Sequence, residues 1–141
     1  MALTEINVVS FGYLHGAPPA GANLVLDLRR HFLDPHVRPA LRYMNAHDLP
    51  VRQAVMATPG IRELITSTAL LVDAFDAGPT EAPLTVAVGC AGGRHRAATV
   101  AMALARRLGK TGTRVTLTHR DLAKPVVERT ATGDAVAPAR Q

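Results

Sequence analysis

The stretch LTVAVGCAGGRHRAATVAMALARRL, residues 84–108, decides the fold. Leu84 to Val88 form an unbroken apolar run of strand length. Residues 89–93, GCAGG, follow with three glycines and the only cysteine, Cys90. After Arg94, His95 and Arg96 the apolar residues recur at helical spacing. Ala97, Val100, Ala101, Leu104 and Leu108 share one face, and Gly109 reads as the C-cap. Strand, glycine turn and helix start together aim backbone N–H groups and a helix dipole at one point. Cations in a helix's first turn oppose that dipole unless an anion lies between them. The turn therefore reads as a phosphate site, with arginines able to grip the anion through paired donors.

Working outward, Glu5 to Phe11 is a strand candidate that ends at Gly12. A loop rich in Gly, Ala and Pro follows. Asn23 to Leu28 is a second strand, apolar enough to be buried on both faces of a parallel sheet. From Arg30 to Asn45 the chain reads as loop, because Asp34-Pro35 and Arg38-Pro39 disfavour a long helix. Asp48 can cap a short helix over about Val51 to Ala57. Thr58-Pro59 opens a longer helix with Ile61, Leu64, Ile65, Thr68, Val72 and Phe75 facing inward, and Gly78-Pro79 ends it. Downstream, Arg114 to Thr118 is a fourth strand. Strands alternating with helices imply βαβ units and a mostly parallel, three-layer α/β sandwich. Residues 1–129 form one domain, and 130–141 are expected to be a flexible tail.

Hydrophobic residues make up 48% of the 141-residue chain and charged residues 19%, which fits a globular domain with its own core. The net charge is +5, and from Arg94 to Lys124 eight Lys or Arg face one acid, Asp121. That concentration favours a polyanionic ligand or partner. Arg94, Lys110, Arg114, Arg120 and Lys124 are the candidate RNA contacts, although three Phe, two Tyr and no Trp leave little for base stacking. A single cysteine excludes an intramolecular disulfide and fits a reducing compartment. With neither a signal-peptide pattern nor a membrane-length apolar run, a cytoplasmic protein is expected. The histidines lack metal-ligand spacing and no Walker loop occurs, so neither metal nor cofactor is expected.

Two further constellations surround the turn. Asp27, Arg29, His36, Arg38 and Arg42 follow the second strand and can reach the same sheet edge. His119-Arg120-Asp121 lies just past the fourth strand, where Arg120 can meet an anion and Asp121 can cap a turn. Inside the turn itself, Cys90 and Arg96 have the C-x5-R spacing of cysteine-dependent phosphatases. Such a site needs a thiolate at the base of a phosphate cradle. Gly89 stands where a histidine is usual there, however, and Ala97 where a Ser or Thr is usual. Phosphatase activity is thus the lesser alternative to non-catalytic binding.

Taken together, Ser10-Phe11-Gly12, Leu26-Asp27-Leu28-Arg29, Asp34-Pro35-His36, Leu41-Arg42, Val88 to Arg96 and His119-Arg120-Asp121 resemble the C-terminal domain of the RapZ family. Its members are RNase adapter proteins and related bacterial nucleotide-binding proteins. The likeness runs from about Asn7 to Lys124. It implies an α/β module similar to a sugar-phosphate-binding part of phosphofructokinase. It also implies binding of glucosamine-6-phosphate and of a small regulatory RNA. Carried over by position, the ligand pocket would use Cys90, Ala91, Gly92, Gly93, His95 and Arg96, with His36 and Arg42 from the facing loop. Ala91 stands where the family usually has threonine, and the tail lacks a Lys/Arg-rich ending. A phosphorylated small molecule is the expected partner, with RNA as the second reading. Whether a homo-oligomer or a separate partner protein completes the assembly is left open by the residues.

Overall fold

The computed structural model of the protein describes residues 2–129. The predicted tail, 130–141, lies outside the described residues. Four strands, β1 (Leu3–Gly12), β2 (Leu24–Asp27), β3 (Ala82–Cys90) and β4 (Val115–His119), form one sheet in the order β2-β3-β1-β4. Every pairing is parallel. Helices α1 (Leu49–Ala57), α2 (Ile61–Asp76) and α3 (Arg96–Gly109) flank it, in keeping with a three-layer α/β sandwich.

The period-two and period-3.6 patterns meet in one core. Ile6 and Val8 of β1 join Leu84, Val86, Val88 and Cys90 of β3, and the helices cover them with Val51, Val55, Ile61, Ile65 and Val72. The whole predicted inner face of α3 is buried: Ala97, Val100, Ala101, Leu104 and Leu108. Its alanines let the helix lie close to β1 and β3. Each fully buried Val or Leu contributes roughly 1.5–3 kcal/mol. The opposite layer is thin. At the sheet's C-terminal end Phe11 is buried against Tyr13, with ring centroids 4.8 Å apart, and a short 3-10 turn (Tyr13–His15) follows.

Two expectations are corrected. Phe75 is 40% exposed rather than inward. The last turn of α2 is held instead by Asp76, whose backbone and carboxylate oxygens accept from the N–H groups of Ala2 and Leu3. Gly109 is the last residue of α3, and Lys110 is the cap. The loop after β2 also contains a 3-10 turn, Pro35–Val37, that Asp34 caps by accepting from the His36 N–H at 2.9 Å.

The strand order has a functional consequence. After β1 the chain moves toward one sheet edge, and after β3 it moves toward the other. The C-terminal ends of these two neighbours are the topological switch point of the sheet, where such folds place ligands. Gly12, Gly92 and Gly93 meet there.

Candidate functional site: a cationic cleft beside the glycine turn

The switch point itself is closed by backbone. A Cβ on Gly12 would lie 2.4 Å from the Gly92 carbonyl carbon, so the two segments touch directly. Asp121, fully buried, locks this junction. Its Oδ2 accepts from the Gly12 N–H at 2.7 Å, and it pairs with Arg120 at 3.0 Å and Lys124 at 2.6 Å. Asp121 is therefore a sheet-edge lock rather than a turn cap.

The cleft opens next to that junction, between the β3–α3 turn and the loop after β2. Asp34, His36, Cys90, Gly92, Arg94, His95, Arg96, Val126, Val127 and Arg129 line it. Its free volume is about 10 Å³, room for roughly one water. Val126 to Arg129 lie across it as a strap. Three arginines and two histidines thus surround one carboxylate.

The arginines are anchored. Arg96 is 2% exposed. Its Nη1 donates to the carbonyls of Leu28, Arg29 and Phe32 at 3.0–3.2 Å, and its Nη2 pairs with Asp34 Oδ2 at 3.2 Å. Arg94 donates to the carbonyls of Tyr43 and Lys124, at 2.8 and 3.1 Å. His95 Nε2 donates to the Met44 carbonyl at 2.8 Å. Arg129 Nη1 meets Asp34 Oδ2 at 2.6 Å. Asp34 thereby neutralises two guanidinium groups at once. Helix α3 begins on this cleft with no side-chain cap.

Burial alone would raise the Asp34 pKa. Arg96, the His36 N–H and Arg129 outweigh it and hold the carboxyl below the usual range. Asp121 is depressed in the same way: burial opposes, but the Gly12 N–H, Lys124 and Arg120 prevail. Burial pushes His15, His36, His95 and His119 below the ordinary histidine value of 6.5. These shifts fix the sign of the pH response. Below 6.5 the unfolded chain takes up protons that the folded histidines resist, so stability falls with acid. Asp34 and Asp121 add a second loss below about pH 3.8, where the unfolded carboxylates protonate first. The thermal midpoint should hold level above neutrality, fall as pH drops through 6.5, and fall again below about 4. A midpoint flat from about pH 7.5 to pH 5 would contradict the histidine assignment.

Of the predicted ligand residues, Cys90, Gly92, His95, Arg96 and His36 line the cleft, while Ala91, Gly93 and Arg42 do not. The Ala91 carbonyl accepts from the Leu14 N–H, and Arg42 Nε donates to the His36 carbonyl at 2.9 Å, bracing that turn from outside. The free thiol of Cys90 is 2% exposed and packs with the core. The five predicted RNA contacts do not come together. Arg94 sits in the cleft, Arg120 and Lys124 pair with Asp121, and Lys110 and Arg114 are exposed beyond the far end of α3, a helix about 20 Å long. Asp27 and Arg29 pair with each other at 2.8 Å, with Arg29 over the Tyr13 ring. Asp34 and Arg129 were not foreseen as cleft residues. A lone acid in a cationic loop was the available signal for Asp34, and no pattern marked Arg129. Among the described residues no group of His, Cys, Asp and Glu is placed to hold a metal, and no helix is long and apolar enough to cross a membrane.

A family profile described as the RapZ C-terminal domain matches residues 4–123. The chain belongs to the RapZ C-terminal domain family. It is similar to a nucleotide-binding protein of Thermobifida fusca, 44% identical over 123 residues, which cover 84% of this chain and 40% of that protein. A nucleotide-binding protein of Rubrobacter xylanophilus is 41% identical over 126 residues, covering 83% and 40%. One from Trichlorobacter lovleyi is 38% identical over 124 residues, covering 84% and 42%. The chain thus spans about two fifths of the length of these RapZ-family relatives. The profile includes the glycine turn, the loop after β2 and Asp121, and stops short of the strap.

Proposed function

We propose that this RapZ-type domain is a non-catalytic binding module for a phosphorylated amino sugar, of which glucosamine-6-phosphate is the simplest, and that it acts as a sensor or adapter. The observation that carries the reading is the single carboxylate of Asp34 set among Arg94, Arg96, Arg129, His36 and His95 beside Gly92. A phosphate takes the cationic wall and the N-terminus of α3. The ligand's ammonium takes Asp34. Arg129 exchanges its carboxylate partner for the phosphate, and the strap moves aside. The relatives' names, nucleotide-binding protein, support a phosphate-bearing ligand. The core packing of Cys90, whose thiol is only 2% exposed at the cleft wall, and the backbone-bound guanidinium of Arg96 support binding without chemistry.

Calorimetric titration with glucosamine-6-phosphate, glucose-6-phosphate and a nucleoside monophosphate tests this. The amino sugar phosphate should bind about tenfold more tightly than its hydroxyl analogue, and Asp34→Asn should erase that difference. Absence of heat with millimolar amino sugar phosphate would sink the assignment. Tighter binding of the nucleotide would keep the phosphate site and replace the sugar.

A further inference from the structure

Away from the cleft, helices α1, α2 and α3 enclose a trough. Three depressions, of about 510, 440 and 440 Å³, all share Met56 as a wall. Ile65, Met102 and Ala103 complete an apolar floor, and Leu49 stands 55% exposed at one mouth. The charged residues around it are Arg52, Arg62, Arg106, Arg107 and Lys110 against one acid, Glu63. The hydroxyl of Thr99, a residue 2% exposed on the α3 wall, has no hydrogen-bond partner among the described residues. Nothing in the sugar-phosphate reading uses this surface.

We propose that the trough docks an acidic amphipathic helix of a partner protein. The apolar floor takes the helix's hydrophobic stripe, in the manner of helix-in-groove recognition. Methionines suit such a floor because their side chains repack around varied partners. The arginine rim takes flanking Glu and Asp side chains. RNA is the poorer occupant, because among the described residues no aromatic ring lines the trough for bases to stack on. A second copy of this chain carries the same net charge of +5 and would meet the rim with repulsion.

The probe is a fluorescein-labelled peptide of about 18 residues, long enough for five helical turns, with Leu at helical spacing and Glu elsewhere. Two controls accompany it: the same peptide with Lys for Glu, and a labelled oligouridylate. Anisotropy with the full chain should show saturable binding of the acidic peptide alone. The double variant Arg62→Glu, Arg106→Glu should weaken it at least about tenfold while calorimetric sugar-phosphate binding and the circular dichroism spectrum stay unchanged. Met56→Ser, checked for a folded spectrum, should weaken it without altering charge. Failure of the acidic peptide to bind, equal binding of the lysine peptide, or indifference to Met56→Ser would overturn the proposal. So would oligouridylate binding that the same charge reversal abolishes.

Discussion

Arg96→Ala is expected to destabilise the protein by about 3–5 kcal/mol, because it leaves one buried and two half-buried carbonyls, and the largely buried Asp34 carboxylate, without their partner. A typical domain has only about 5–15 kcal/mol in hand. The variant should therefore lose a large share of its stability and unfold in markedly less urea than the parent. One guanidinium joins Leu28, Arg29, Phe32 and Asp34 to the first residue of α3. Arg96→Lys should not rescue it, since an ammonium cannot reproduce a planar fork reaching four acceptors. Urea denaturation followed by circular dichroism decides the point. A loss under about 1 kcal/mol would mean that Arg96 is held for the ligand and not for the fold.

The second large effect separates two neighbouring glycines. Gly93 has φ +75°, and a Cβ there would sit 2.8 Å from the Gly12 nitrogen and 2.9 Å from the Phe11 carbonyl carbon. Both obstacles are backbone and cannot swing away. Gly93→Ala should cost about 2–5 kcal/mol, the sum of left-handed strain and overpacking. Gly92 differs. A Cβ there meets only the Arg129 Nη2 at 3.5 Å, an ordinary contact. Gly92→Ala should change stability by less than about 0.5 kcal/mol yet intrude on the cleft. Thermal melts of the two variants side by side, with the sugar-phosphate titration repeated on Gly92→Ala, read both effects. Equal melting temperatures for the two would refute the distinction.

The fold was legible because its elements are locally consistent. The run Leu84 to Val88, the alanine-rich face of α3 and the Thr58-Pro59 and Gly78-Pro79 boundaries each carry their own signal. The strand order was not, since β1 and β3 become neighbours through contacts more than seventy residues apart. The site was half legible. Gly92, His95, Arg96 and His36 sit where an anion cradle was expected, yet Arg96 is bound to carbonyls from a loop more than sixty residues away. A sequence pattern shows that an arginine stands beside a glycine turn. It does not show whether that arginine faces solvent or its own backbone. Asp121 teaches the same lesson: one acid in a basic segment proved to be the buried counter-charge of two of the cations around it.

Arg94, His95 and Arg96 are consecutive, and together they grip three parts of the chain, the loop from Leu28, Tyr43 with Met44, and Leu122 with Lys124, at separations from 28 to 68 residues. In folding terms the two rims of the cleft share one clasp. Closing such long loops carries an entropic cost that the docking of β3 and α3 reduces. In the native protein the rims are coupled through that clasp: any ligand that shifts the first turn of α3 by a fraction of an ångström pulls on residues 28–34, 43–44 and 122–124 at once. A ligand seated in this cleft would therefore bear on three separate segments through a single helical turn.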